Sequence, residues 1–142
     1  MRKLIWLMFF FAACGVAPAW DGNPTSCDFV YRGACIQGLS LEDTEKGFEY
    51  AERIFGEIDA SGFLIHSVSK VTICGEAGTF DGCEASATKE IQIAGSPKYC
   101  AAFLITHELG HVKLNDAQHH NPEWSVLEND YYEICPTPYP LD

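Results

Sequence analysis

Six of the seven cysteines, spread along the chain, limit its fold more than any other feature of the sequence. An even number of cysteines in a small exported chain is typical of a disulfide framework, which compensates for a limited hydrophobic core. Many pairings are open to six cysteines, and the sequence alone does not select one. No C-x-x-C pair is present, so we do not expect a cysteine metal site. The six are Cys27, Cys35, Cys74, Cys83, Cys100 and Cys135.

The N-terminus of the chain has the three parts of an export signal. Two basic residues open it, an apolar run follows from Leu4 to Ala13, and Ala17-Pro18-Ala19 is a small-x-small cleavage site. The apolar run is shorter than the about 20 residues that a membrane-spanning helix needs. We therefore divide the chain into a signal peptide, 1–19, and a single domain, 20–142.

A second interpretation of the N-terminus involves the remaining cysteine. Phe11-Ala12-Ala13-Cys14-Gly15 resembles a bacterial lipobox, so a lipid anchor at Cys14 is the alternative to cleavage after Ala19. Both interpretations predict an exported protein without a transmembrane segment in its mature form. We expect the protein to be secreted or periplasmic, or to be held at a membrane by lipid.

The charge of the chain bears on its partners. The full chain has a net charge of −11, and removal of the two basic residues of the signal makes it −13. A protein this acidic repels phosphate backbones, so we do not expect a nucleic-acid partner.

Hydrophobic spacing predicts an α+β fold in which a small mixed sheet packs on two helices. The first helix is predicted over Leu41–Ala60 with Ser40 as its cap, because apolar residues recur there at helical spacing. The second helix is predicted from a cap at Ser96 to Leu114, with Asn115 as its terminator.

Strands and loops are predicted around these helices. Strands are expected at Phe29–Tyr31, in an otherwise irregular N-terminal arm, and within Phe63–Cys74 and Thr88–Ala94, where β-branched residues are frequent. Gly75–Glu84 is predicted to be a loop because of its glycines. At most one short helix is expected after the second long one, near Ser125–Tyr132.

One pentapeptide of the second helix indicates chemistry: His107-Glu108-Leu109-Gly110-His111. Residues four apart on a helix project from the same face, so His107 and His111 can reach one metal ion. Glu108 can then reach water bound to that ion, as a general base. Zinc suits imidazole ligands and catalytic sites keep a position open for water. We predict that His107 and His111 bind Zn²⁺, and that Gly110 leaves room beside the metal.

The segment Thr88–Leu127 resembles the metzincin superfamily of zinc endopeptidases. It has an alternating strand, the HELGH helix, a turn, a further histidine and a Ser-Val-Leu segment. In that superfamily H-E-x-x-H-x-x-G-x-x-H is followed by a turn with a methionine beneath the metal. The template's glycine and third-histidine positions hold Leu114 and Ala117, so a two-residue insertion would make His119 the third ligand. Leu127, eight residues after His119, would replace the methionine.

Other residues are candidates for the third ligand. His120 follows His119 directly. Some small relatives use an aspartate as third ligand, and Asp116 is close in sequence but lies one position short of the template's third-ligand position. Glu128 or Glu133 would serve if the chain belonged to the zincin class that takes a glutamate from a later helix. His66 is far from the motif and is expected to be a surface or core residue.

The resemblance implies a zincin-like fold and hydrolysis of peptide bonds in a protein or peptide substrate. It also implies that Lys89–Ala94 is a sheet edge that pairs with the extended substrate. Tyr131 and Tyr132 would either hydrogen-bond a reaction intermediate or pack as ordinary aromatics. We therefore expect an exported, monomeric zinc metalloendopeptidase. The alternatives are a zinc-containing binding module and a metal-free, disulfide-rich interaction protein; Glu108 argues for the enzyme, because a structural site needs no base.

Overall fold

The computed structural model describes residues 27–136. The predicted signal peptide, its cleavage site and Cys14 lie outside these residues. Within them the chain forms a mixed α+β fold of five strands and four helices. The strands are β1 (Phe29–Tyr31), β2 (Ala34–Gln37), β3 (Leu64–Val68), β4 (Gly82–Ala85) and β5 (Glu90–Ala94). The helices are α1 (Leu41–Phe55), α2 (Ala101–Leu114), α3 (Glu123–Asn129) and α4 (Tyr131–Ile134).

The strands form one mixed sheet in the order β1-β2-β3-β5-β4. β2, β3 and β5 are parallel neighbours, whereas β1 and β4 pair antiparallel at the two edges. β5 lies inside the sheet, because its Ile91 pairs with Ile65 on one side and with Glu84 on the other. The prediction that Lys89–Ala94 is a sheet edge is therefore wrong. The edge is β4, which begins within the segment 75–84 that was predicted to be a loop.

Helix α1 begins where the sequence predicts and ends early. The Ser40 hydroxyl accepts a hydrogen bond from the backbone amide of Asp43 at 3.0 Å, as expected of a cap. The helix ends at Phe55 rather than at Ala60, because Gly56 takes a φ of 86° that directs the chain out of the helix.

Helix α2 begins at Ala101, four residues later than predicted. The Ser96 hydroxyl does accept hydrogen bonds from backbone amides, those of Lys98 and Tyr99, but it organises a turn ahead of the helix. The predicted terminator is confirmed: Asn115 has a φ of 49°, and its amide donates to the carbonyl of His111 at 2.9 Å.

The core lies between the sheet and the two long helices. Gly47 of α1 lets α2 approach closely, since a Cβ at this position would lie 2.5 Å from Cγ2 of Ile105. The hydroxyl of Thr106, which is fully buried, donates to the Gly47 carbonyl at 3.2 Å. Each large apolar side chain buried here stabilises the fold by about 1.5–3 kcal/mol. Phe48, Ile65, Ile91, Ile105 and Leu109 are among them. This packing fixes the position of α2, which carries the predicted metal ligands.

All six cysteines of the described residues form disulfides, so the predicted framework is confirmed. The pairs are Cys27–Cys35, Cys74–Cys83 and Cys100–Cys135, with Cα–Cα distances of 5.3, 6.0 and 5.8 Å. The last pair joins the start of α2 to the end of α4, and the second closes the loop that leads into β4. Disulfides of this kind are compatible with an extracellular environment. None of the helices between residues 27 and 136 has the length and apolar character needed to cross a membrane.

Candidate metal centre

Helix α2 and the loop that follows it bring three histidines together. Nε2 of His111 lies 3.1 Å from Nε2 of His107 and 3.1 Å from Nε2 of His119. All three ligand nitrogens lie within 4.8 Å of one another. Two nitrogens bound to the same tetrahedral zinc ion are about 3.3 Å apart, given zinc–nitrogen bonds of about 2.0–2.1 Å. The donor atoms and their spacing therefore fit one such ion.

The loop between His111 and His119 is shaped by backbone conformation and by one carboxylate. Asn115 and His119 both have positive φ, 49° and 55°, which turns the chain back toward α2. Oδ2 of Asp116 accepts hydrogen bonds from the Asn121 amide at 2.9 Å and from Nε1 of Trp124 at 3.1 Å. Asp116 thus organises the loop and is not a member of the histidine cluster.

The other candidates for the third ligand lie outside the cluster. His120 is exposed. Glu128 lines a cavity beside the histidines. Glu133 accepts a hydrogen bond from a tyrosine of α1. His66 lies on β3, where its Nε2 is 2.7 Å from a glutamate of β5. Among the described residues, His119, the predicted third ligand, is the only candidate that lies in a cluster with His107 and His111.

Burial keeps two of the imidazoles neutral at ordinary pH. Burial, together with the charges that His111 and His119 would carry when protonated, lowers the pKa of His107 to about 3. Burial and the charge of His119 lower the pKa of His111 to about 4. Because neutral imidazole is the form that binds a metal, His107 and His111 are in their ligand form at neutral pH.

Glu108 projects from α2 toward the edge strand and is almost fully buried there, with 4% of its surface exposed. Burial raises its pKa to about 8; the negative charge of Glu84 on β4 acts in the same direction, while a hydrogen bond with the Glu84 backbone opposes it. Gly82, also on β4, faces the carboxylate directly. The edge strand therefore packs on the residue predicted to be the general base, a contact that the sequence did not reveal.

Trp124 of α3 lies against all three histidine rings. Its ring centroid is 5.1 Å from that of His107, 4.7 Å from that of His111 and 4.5 Å from that of His119. The resemblance had placed Leu127 beneath the metal; Leu127 is buried and lines the adjoining cavity. Trp124 is not among the site residues predicted from the sequence, although a large aromatic residue in this segment is a usable signal.

Gly110 has a different role from the predicted one. A Cβ at Gly110 would lie 2.7 Å from Cε2 of Phe55 and 2.9 Å from Cη2 of Trp124. The absence of a side chain at Gly110 thus makes room for the rings of Phe55 and Trp124. It affects the histidine cluster only through the Trp124 indole that packs on the histidines.

A cavity of about 710 Å³ opens beside the histidines. Tyr131 forms part of its wall, and its hydroxyl donates to the carbonyl of Lys98 at 2.5 Å. Tyr132 is 70% exposed and lies at the cavity as well. Six of the side chains that line it are phenylalanine, tyrosine or tryptophan: Phe80, Tyr99, Phe103, Trp124, Tyr131 and Tyr132. The cavity can accommodate a bulky apolar group next to the cluster.

The three imidazoles could hold one metal ion, with the buried carboxylate of Glu108 and an aromatic-lined cavity beside them. Comparison of the chain with protein-family models, with curated proteins and with solved structures finds no match.

Proposed function

We propose that the protein is an exported zinc metalloendopeptidase with a zincin-like fold. One observation carries the proposal: three histidine Nε2 atoms converge at the spacing of zinc ligands, and Glu108 lies next to the first of them along α2. His107, His111 and His119 would hold the ion. When bound, zinc polarises a carbonyl group and lowers the pKa of water.

Glu108 would move the proton during hydrolysis. Its carboxylate accepts a proton from the attacking water and delivers it to the leaving amine. Burial against β4 holds the carboxylate in one place and keeps bulk solvent away from it. Its pKa of about 8 belongs to the chain without metal, and a nearby divalent cation would lower it toward neutrality.

The substrate would be an extended segment of a protein or peptide. Within the described residues β4 has β5 as its one strand neighbour, and the substrate would add to the outer edge of β4, beside the point where the Glu84 backbone contacts Glu108. A peptide lying along β4 passes the histidine cluster and can place one side chain in the aromatic cavity. Because the lining is largely aromatic, we expect cleavage next to a bulky apolar residue.

Zinc content and proteolysis, measured together, test the proposal. The purified mature protein should contain one zinc ion per chain and should cleave an unfolded protein such as casein. His119→Ala should lose or weaken zinc binding, whereas His120→Ala should retain it. A wild-type protein that binds no zinc would refute the enzyme and leave the disulfide-rich binding module, with which the three disulfides are also compatible.

A further inference from the structure

The three imidazoles of the cluster share one aromatic neighbour. The indole of Trp124 lies at interplanar angles of 45°, 40° and 73° to the rings of His107, His111 and His119, at the centroid distances given above. These distances are those of packed aromatic pairs. A rigid ring in contact with all three ligands restricts the rotation of each side chain, because a packed interior leaves little free space.

Three parts of the chain fix the position of the indole itself. Its ring is 5% exposed and packs on Phe55 of α1 with a centroid distance of 5.0 Å. Its Nε1–H donates to Oδ2 of Asp116 at 3.1 Å. Gly110 of α2 removes the side chain that would otherwise collide with it. Three elements thus determine where the indole lies.

The carboxylate of Asp116 also reaches the loop that carries the third ligand. Oδ2 accepts from the Asn121 amide at 2.9 Å, and the carbonyl of Asp116 accepts from the His119 amide at 3.3 Å. His119 therefore lies inside a loop that Asp116 closes, and the same carboxylate oxygen binds both the loop and the indole.

We propose that Trp124 and Asp116 are positioning residues for the metal ligands. The indole supports the three imidazoles, and its bond to Asp116 sets the position of the His119 loop relative to α2. The inference depends on the proposed zinc site. Removing groups that orient metal ligands typically lowers metal affinity by about 10–100-fold, and we expect an effect of that size here.

The first experiment measures whether Trp124 senses the metal. The chain has three tryptophans, of which Trp6 falls in the predicted signal peptide and Trp20 lies outside the described residues. A Trp20→Phe variant of the mature protein therefore has Trp124 as its one tryptophan. Titration with Co²⁺ should quench its fluorescence with one equivalent of metal. The absence of quenching in a protein that binds Co²⁺ would overturn the inference.

The second experiment measures metal affinity by competition with a coloured chelator. Trp124→Leu and Asp116→Ala should each weaken Zn²⁺ binding about 10–100-fold and should change the visible absorption of bound Co²⁺. Trp124→Phe, which keeps a ring but lacks the N–H donor, should have an intermediate affinity. Phe48→Leu is the matched control: Phe48 is fully buried and packs on Tyr31, so its replacement should lower thermal stability without changing metal affinity.

The outcomes separate this inference from the proposed function. If the wild type binds no metal, the proposed function fails. If the wild type binds zinc, and Trp124→Leu and Asp116→Ala bind it with unchanged affinity and an unchanged Co²⁺ spectrum, only the positioning role fails. Should Trp124→Leu not fold, the loop variant Asp116→Ala decides the matter alone.

Discussion

Gly82 of β4 faces the carboxylate of Glu108 with no room between them for a methyl group. A Cβ at Gly82 would lie 2.5 Å from Oε1 of Glu108 and 3.2 Å from its Cδ. Gly82→Ala should therefore displace the carboxylate while leaving the histidines in place. Because a displacement of about 1 Å in a catalytic site can lower the rate about 100-fold, we expect a loss of kcat/KM of that order with zinc content unchanged.

Gly95→Ala provides the control for this substitution. Gly95 follows β5, and a Cβ there would have no heavy atom within 4 Å. Its replacement by alanine should leave both kcat/KM and zinc content at wild-type values. Equal activities of the Gly82→Ala and Gly95→Ala variants would show that the contact with Glu108 does not matter for turnover.

Glu108→Gln should separate metal binding from proton transfer. Glutamine has nearly the same shape as glutamate but cannot accept a proton at neutral pH, so turnover should fall by about 10²–10⁴-fold. The three histidines are unchanged, so one zinc ion per chain should remain. Parallel zinc analysis and peptide cleavage test this, and a variant with wild-type turnover would exclude Glu108 as the base.

The stability of the metal-free protein should depend on pH through the buried groups of the centre. The pKa values of His107 and His111 fall from 6.5 to about 3 and about 4 on folding. The unfolded chain then binds more protons, so the free energy of unfolding decreases as the pH falls from about 6.5 toward 4. The pKa of Glu108 rises from 4.5 to about 8. The contribution of Glu108 to the free energy of unfolding is therefore present at low pH and is lost as the pH rises from about 4.5 to about 8.

These opposite pH dependences predict that the contribution of the centre to the free energy of unfolding passes through a maximum. Between about pH 4.5 and 6.5 two histidines outweigh one glutamate, and above 6.5 the glutamate acts alone, so the contribution of the centre should be greatest near pH 6.5. Thermal unfolding of chelator-treated protein across this range measures it. In Glu108→Gln the decrease above pH 6.5 should disappear and the decrease on the acid side should remain. If stability still decreased above pH 6.5 in Glu108→Gln, that decrease could not be assigned to Glu108.

The disulfides should contribute unequally to stability. Cys100 and Cys135 are 35 residues apart in the sequence, whereas Cys27 and Cys35 are 8 apart. In the chain-entropy description a longer closed loop restricts the unfolded state more. The expected stabilisation is about 4 kcal/mol for Cys100–Cys135 and about 2.5 kcal/mol for Cys27–Cys35. Urea unfolding of the two paired Cys→Ser variants tests the order. Equal losses would mean that the N-terminal disulfide has additional importance in the folded state.

The sequence predicted the parts of the centre that are local. His107, Glu108 and His111 are set by helical spacing, and the helix terminator at Asn115 begins the turn that brings His119 back. The features that were missed depend on contacts between distant segments. β4 is four residues long and begins with glycine, so its identity as an edge strand becomes visible only when β5 pairs with it. Trp124 owes its position to Phe55, Gly110 and Asp116, which no periodicity connects.

The left-handed backbone of His119 has a consequence for the balance between folding and activity. A φ of 55° costs an ordinary L-residue about 1–2 kcal/mol, and glycine is largely exempt. His119→Ala removes the imidazole and keeps this cost, whereas His119→Gly removes both. Without metal, the glycine variant should be the more stable of the two. Selection for thermostability alone would then favour glycine over histidine at this position, so the fold itself gives no reason for the third imidazole and the proposed metal site does.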